Sequence, residues 1–343
     1  MEAACCGQPI IQIHPTRRCN LRCLHCYSFS APEERDQLSH QSLQDVLEDA
    51  AGLGYKVASF SGGEPVLYHD LGRLLMRAKE LGYRTTVTSN GMLLDERRIA
   101  MLTGHTDVLA ISLDGVPESH NRMRASNEAF ERMLANLERV RQSGITFGFI
   151  FTLTQYNVNE IDWVARFAVE QGARLLQIHP LEEVGRANQL LVGSRPDETE
   201  SAFAFLVAQR LRQMYGERLF VQLDIFHRDL VKQFPARFYA DDAWTESAAL
   251  ADLVTPLVVE ADGNVAPLGY GFARRLGLGS IADNRLKDLA PVWIQRQYPA
   301  FRELCRKVYV QACTPTDLPF LNWYEMVGAR SADAPILTQA NSA

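Results

Sequence analysis

Short β-rich runs alternate with segments of helical period through the first two thirds of this chain, and that alternation leaves few folds open. Strands are expected at residues 10–14, 57–60, 84–88, 108–113, 146–153 and 174–179. Between them, residues 41–51, 71–81, 128–142 and 157–170 space their apolar side chains as amphipathic helices do, and they run into Gly52, Gly82, Gly144 and Gly172. Glycine is a common helix stop because it tolerates the left-handed backbone of a C-terminal cap. Six strand–helix units in series imply a parallel sheet with helical crossovers. The fold class expected is therefore α/β, a partial (β/α)6 barrel. In such sheets the loops after the strand C-termini carry the site.

The loop after the first strand reads Pro15-Thr16-Arg17-Arg18-Cys19-Asn20-Leu21-Arg22-Cys23-Leu24-His25-Cys26-Tyr27. Three thiolates at this spacing can hold one face of a cubane [4Fe–4S] cluster, whose full ligation by protein would take four. Three leave one iron open, and an open coordination site is where chemistry occurs. Two other readings stay open from the triplet alone. A zinc site with His25 as fourth ligand would crowd four ligands into eight residues, whereas zinc sites usually use two separated pairs. A disulfide suits an odd triplet poorly.

Three later stretches add to the triplet. With Tyr27 after it, the triplet resembles the cluster loop of the radical S-adenosylmethionine (SAM) enzymes, in which the open iron is chelated by the amino and carboxylate groups of SAM. Gly62-Gly63-Glu64-Pro65 resembles that family's glycine-rich motif, Thr88-Ser89-Asn90-Gly91 its ribose-contacting strand end, and Ser112-Leu113-Asp114-Gly115 its fourth strand. Each alone is weak, since glycine pairs and Asn-Gly also mark ordinary turns; together they fall in the family's order, and the resemblance covers residues 10–187 well. It implies a barrel of the radical SAM type, one [4Fe–4S] cluster on Cys19, Cys23 and Cys26, and SAM as the second cofactor. It assigns Gly62, Gly63 and Glu64 to the SAM amino group, with Pro65 fixing the turn. Ser89 and Asn90 would face ribose hydroxyls or the carboxylate, and Ser112 and Asp114 lie one strand further round. Arg124 resembles the arginine that pairs with the SAM carboxylate, the alternative for it and Arg122 being a solvated loop.

His179 closes the sixth strand on the barrel's open face, which makes it, with Gln177 and Glu182, a candidate for substrate contact or proton relay. A hydrogen-bonded structural histidine is the competing reading. Gly185-Arg186-Ala187 resembles a turn of relatives that modify peptides.

After residue 187 the chain changes character. A long helix is expected over 197–215 and a strand over 219–223, while 234–250 shows no clear period. Asp262-Gly263 marks a hairpin, and a helix should follow near residue 286. This part resembles a SPASM or twitch extension, which in relatives carries auxiliary clusters. Leu268 stands where the family pattern has a cysteine, however, and only Cys305 and Cys313 remain in the region. Two thiolates cannot hold a cubane, and the adjacent Cys5 and Cys6 chelate poorly together. A smaller α+β extension that has lost its metal is expected, giving a core over 1–190, an extension over 191–330 and a frayed tail over 331–343.

The 343 residues carry a formal net charge of −6, so no global attraction to nucleic acid is expected. No run approaches the roughly 20 apolar residues of a membrane span, and no signal peptide is evident. Seven clustered cysteines suit a reducing, cytoplasmic setting. The leading expectation is an enzyme that modifies a ribosomally made precursor peptide, with the nif11-type maturases and their spliceases one subgroup it could join. Only 18 residues precede Cys19, so a separate small leader-binding protein is expected, as is an electron donor such as flavodoxin or ferredoxin. The runner-up is radical chemistry on a small molecule such as a tetrapyrrole, sugar or cofactor precursor. The third reading is a non-catalytic scaffold that keeps the fold.

Overall fold

The structure is a computed structural model that describes residues 7–239, 248–314 and 319–333. β1 (Ile10–Ile13), β2 (Val57–Phe60), β3 (Arg84–Ser89), β4 (Val108–Ser112), β5 (Phe147–Leu153), β6 (Leu175–Pro180) and β7 (Phe220–Leu223) lie side by side in chain order. Each is parallel to the next. The first six match the expected strands to within about two residues at each end, as boundary placement from sequence allows. The sheet does not stop at six: β7 pairs with β6 through Gln177↔Gln222.

Beyond β7 the chain makes β8 (Phe226–His227), then returns to the opposite edge. There β9 (Leu257–Val259) runs parallel to β1, and β10 (Asn264–Pro267) and β11 (Gly279–Ser280) follow antiparallel. The Asp262-Gly263 turn joins β9 to β10, as the sequence suggested, with Gly263 at φ 91°. β12 (Phe320–Leu321) pairs with β8 in a separate two-stranded sheet.

Parallel strands are covered by their crossover helices and therefore read as apolar runs. β5, Phe-Gly-Phe-Ile-Phe-Thr-Leu, is the plainest case, five of its seven residues being buried. The covering helices bury one stripe each: Leu43, Val46, Leu47 and Ala50 from His40–Gly52, and Leu71, Leu74, Leu75 and Ala78 from Leu71–Glu80. Phe130, Met133, Leu137 and Val140 do the same from Ala129–Gln142. Steps of three and four residues in each set keep these side chains on the face that meets the sheet. Ser39 caps the first of these helices by accepting the Ser42 N–H at 3.0 Å.

The later strands are continuous with this core. One buried apolar cluster runs from Ile11 to Val327. Tyr55 donates its hydroxyl to the Val254 carbonyl at 2.9 Å, and Arg285 grips Asp49 through two bonds of 3.0 and 2.7 Å. Two helices absent from the sequence reading, Tyr298–Cys313 and Trp323–Asp333, complete this side. Residues 331–333, expected in a frayed tail, close the second of them, and Ser331 is buried, accepting the Ala273 N–H at 3.2 Å. The rest of that tail, Cys5 and Cys6 lie outside the described residues. Among the described residues no helix is long and apolar enough to cross a membrane.

Gly148 tests the β5–β6 contact. A methyl group there would stand 2.5 Å from both Cβ and the carbonyl oxygen of Leu175. Gly148→Ala is expected to lower stability by about 1–3 kcal/mol through overpacking, read as a lower urea midpoint with an unchanged slope.

Candidate functional site

The loop between β1 and the helix His40–Gly52 is irregular, and its shape comes from what grips it. Within the loop, Cys19 N–H donates to Ala31 O at 3.1 Å and Arg17 N–H to Asp36 O at 2.8 Å. From the end of β2, Gly63 N–H donates to Thr16 O and Glu64 N–H to Arg18 O, both at 2.9 Å. A Cβ on Gly63 would lie 2.3 Å from Arg18 O, so only glycine permits this approach. The sequence reading attributed the glycines to close passage of a ligand; at Gly63 the neighbour is the cysteine loop itself. From the end of β6, Arg186 donates its backbone N–H to Cys26 O at 2.8 Å, while its guanidinium reaches Cys23 O at 2.7 Å and Ser30 O at 3.0 Å. Gly185, at φ 60°, packs against the Tyr27 carbonyl.

This grip gathers the three thiols. Cys19, Cys23 and Cys26 share one apolar cluster with Leu21, Met92 and Ala129, and none is in a disulfide. Burial pushes the Cys19 and Cys23 thiols up, which favours their protonated form in the absence of a metal. Among the described residues no three His, Cys, Asp or Glu side chains converge as ligands of a single ion. His25 Nδ1 is buried without a partner.

Glu64 is fully buried. Its Oε2 accepts the Asn90 N–H at 2.9 Å and its Oε1 has no partner. Burial raises its pKa to about 7, against the bonds it accepts. A buried acceptor left open is costly and marks a place for a donor. Pro65 opens the 3₁₀ turn Pro65–Leu67 that carries Glu64 inward. Asn90 is otherwise occupied: its amide donates to Asn20 Oδ1 at 2.8 Å and accepts the Met92 N–H at 3.0 Å, tying the end of β3 to the cysteine loop. Ser89 accepts the Gly91 N–H at 3.1 Å. Ser112 closes β4 and is buried.

Asp114 and Arg124, read separately from the sequence, meet. Arg124 Nε donates to Asp114 Oδ2 at 2.6 Å, and Arg124 Nη1 lies 3.8 Å from Cys23 Sγ. Arg124 ends the short helix Pro117–Arg124 with its side chain buried, so the solvated-loop reading does not hold for it. Against the burial that would raise it, the Arg124 charge holds the Asp114 carboxyl well below the usual carboxylate range. Arg122 instead packs over the Tyr156 ring at 5.4 Å.

A second group stands at the ends of β6 and β7. Gln177 and His179 fall on one face of β6. Gln177 Nε2 donates to Asp224 Oδ2 at 2.6 Å, and His179 Nδ1 lies 3.0 Å from the same oxygen. Glu182 Oε1 is 3.7 Å from His179 Nε2, and Asn322 Nδ2 reaches it at 3.5 Å. Asp224 was missed. The two-residue spacing of Gln222 in β7 and Asp224 just after it, beside β6, is the signal that could have found it. Arg186 was noted only as part of a turn.

A sequence profile of the radical SAM superfamily matches residues 13–168. Among curated proteins the chain is 30% identical over 210 residues to Fe-coproporphyrin III synthase of Methanosarcina barkeri, covering 61% of this chain and 53% of that one. It is 29% identical over 213 residues to pre-heme d1 synthase of Dinoroseobacter shibae, covering 61% and 52%. The chain thus spans about half the length of these relatives. It is 24% identical to the sporulation killing factor maturation protein SkfB of Bacillus subtilis over 310 residues, covering 89% of this chain and 70% of that one. In fold it is similar to SuiB of Streptococcus suis bound to S-adenosylmethionine, with TM-score 0.67 at 17% identity over 87% of this chain and 68% of that one. It is also similar to anSMEcpe with bound AdoMet, with TM-score 0.62 at 18% identity over 96% of each chain.

The Arg186 grip has a direct readout. Arg186→Ala removes two charged hydrogen bonds to loop carbonyls, worth about 1.5–3 kcal/mol each where fully expressed. In metal-free protein the buried Cys19 and Cys23 thiols are expected to react with a disulfide reagent at least about tenfold faster, since even 1.4 kcal/mol less resistance to local opening gives that factor. Unchanged rates would show that the loop holds without Arg186.

Proposed function

The chain belongs to the radical SAM superfamily of enzymes, and from that premise we propose that it reductively cleaves SAM and uses the radical to modify a ribosomally made precursor peptide. Cys19, Cys23 and Cys26 would hold a single [4Fe–4S] cluster, three thiols in one pocket being the donor set such a cluster takes. When bound, that cluster supplies the electron that splits SAM into methionine and a 5′-deoxyadenosyl radical, which abstracts hydrogen from the substrate.

The remaining roles fall to this chain's own side chains. Glu64 Oε1, buried and open, would accept from the SAM amino group, with Gly62 and Gly63 setting the turn that places it. Arg124, held by Asp114, would bring its charge to the SAM carboxylate beside Cys23. Ser89, Asn90 and Ser112 would line the ribose side. His179, Glu182 and Gln177 would meet the substrate.

The match to the killing-factor maturation protein carries the peptide reading. Its match covers 89% of the chain, against 61% for each of the two haem-pathway matches. We read residues 191–330 as a SPASM- or twitch-like extension without its metal, after a core over 1–190. Cys305 lies wholly buried in the helix Tyr298–Cys313, and Leu268, also buried, follows β10 directly. The nif11-type and splicease subgroup remains part of this proposal, as do a separate leader-binding partner, a flavodoxin or ferredoxin donor and a cytoplasmic setting. The identity to the two haem-pathway enzymes favours a second reading, in which a tetrapyrrole is the substrate.

Anaerobically reconstituted protein is expected to hold about four irons per chain, all lost in the Cys19→Ala, Cys23→Ala, Cys26→Ala variant. Iron near the wild-type level in that variant would reveal a second cluster. 5′-Deoxyadenosine formation with SAM and dithionite should rise when a precursor peptide and its leader-binding partner are added, with one site of the peptide changed in mass or stereochemistry. His179→Ala or Glu182→Ala should impair peptide conversion more than SAM cleavage. Stimulation by a tetrapyrrole and by no peptide would decide for the second reading.

A further inference from the structure

Asp224 follows β7 directly and is held on every side. Its backbone N–H donates to Ile178 O at 3.0 Å, fixing it against β6. Its Oδ1 accepts from Gln222 Nε2 at 2.7 Å, and its Oδ2 accepts from Gln177 Nε2 at 2.6 Å. The remaining partner of Oδ2 is His179 Nδ1 at 3.0 Å. Two glutamine amides donating to a carboxylate leave it little freedom to turn, so the ring it binds is held in one orientation. The Asp224 side chain is 15% exposed and that of His179 37%, so the dyad runs from the sheet to an opening.

We propose that Asp224 is the positioning residue of an Asp224–His179 dyad, its carboxylate holding the imidazole through Nδ1–H so that Nε2, beside Glu182, exchanges a proton with the bound peptide. The proposal rests on the peptide reading above and names a residue which that reading does not contain. The charged ring gives its Nε2 proton to a basic atom of the bound peptide. The neutral ring stays bound to Asp224 through Nδ1–H, and the reverse transfer restores it.

The surroundings favour the charged ring. Burial pulls the His179 pKa down, but the bond and charge of Asp224, with Glu182 and Glu325, raise it to about 9. Glu182 comes from the loop after β6, and Tyr324 and Glu325 from the helix Trp323–Asp333, where Arg195 engages Glu325 at 2.9 Å. The sign follows: a histidine raised in the folded state adds stability that is complete below its unfolded pKa and is lost as pH rises through about 9.

The test reads the ring itself. In protein carrying nitrogen-15 histidine, the signal lost in His179→Gln identifies His179, and its titration should centre near pH 9 in the wild type. In Asp224→Asn the midpoint should fall by at least about one unit, tenfold in proton affinity, and Asp224→Ser gives the same reading should the amide variant not fold. Asp224→Glu should recover part of the shift. For peptide conversion, the amide variant should lower kcat with little change in KM and move the alkaline limb of the pH profile down by a similar amount. A His179 midpoint within about 0.3 unit of the wild type in a folded Asp224 variant would overturn the dyad. The expected titration shift, found with no peptide conversion at any pH, would uphold the dyad and defeat the peptide reading.

Discussion

Backbone hydrogen bonds from the ends of β2 and β6 fix a long irregular segment of this core, residues 14–39. Ordering an irregular loop costs about 1–2 kcal/mol per residue in backbone entropy, and the cysteine loop meets that cost through neighbours that are rigid already. Gly63 and Glu64 donate to Thr16 and Arg18, Asn90 reaches Asn20 from the end of β3, and Arg186 closes over Cys23 and Ser30 from the end of β6. Three strand ends therefore set where the thiols stand. The glycine pair belongs to this scheme first: it lets one loop lie on another, and the carboxylate that follows is carried inward as a consequence.

The buried charges near the thiols follow the same economy. Asp114 and Arg124 neutralise each other at 2.6 Å, and Thr152 N–H adds a longer bond of 3.3 Å to Asp114. A pair of this kind is a weak source of stability because both ions give up water. Its value lies in placement, since it brings a permanent positive charge to 3.8 Å from Cys23 Sγ. Glu64 is the opposite case, one oxygen bonded and one open, its proton retained to about pH 7 by burial. The protein balances the first carboxylate internally and leaves one oxygen of the second without a partner.

The parts of this structure that sequence revealed are those governed by local pattern. Short runs rich in apolar and β-branched residues placed β2 to β6, and glycines marked where the covering helices stop, because strand burial and helix capping each leave a short-range trace. The helix Pro117–Arg124 escaped since Pro-Glu-Ser-His-Asn-Arg-Met-Arg has almost no apolar stripe and is fixed by tertiary partners. β9 could be seen as a strand, but its parallel pairing with β1, more than 240 residues away, left no local trace. The site divides likewise. The cysteines, Gly62 to Glu64 and His179 stood out by spacing or strand-end position. Asp224 and the grip of Arg186 depend on which strand lies beside which, and a register is not written in any one segment. The mutual pairing of Asp114 and Arg124 had the same obstacle, a short helix folding one back onto the other.

The two halves of the site are joined by a segment too short and too well tied to move freely. His179 and Arg186 are seven residues apart. Between them Leu181 N–H is bound to Leu153 O, and Val184 N–H to Glu182 O, each at 2.8 Å, before Arg186 N–H reaches Cys26 O. Glu182 faces His179 on one side of this turn, and Gly185 rests on the carbonyl of Tyr27 on the other. A ligand that draws Glu182 away from its place must therefore strain the Gly185–Arg186 contact or pull the cysteine loop with it. By linkage the converse holds: whatever fixes the thiols and the carbonyls of Cys23 and Cys26 also fixes Glu182, and the two occupancies bias each other by the same free energy. The turn between β6 and the cysteine loop thus couples the position of Glu182 to that of Cys23 and Cys26.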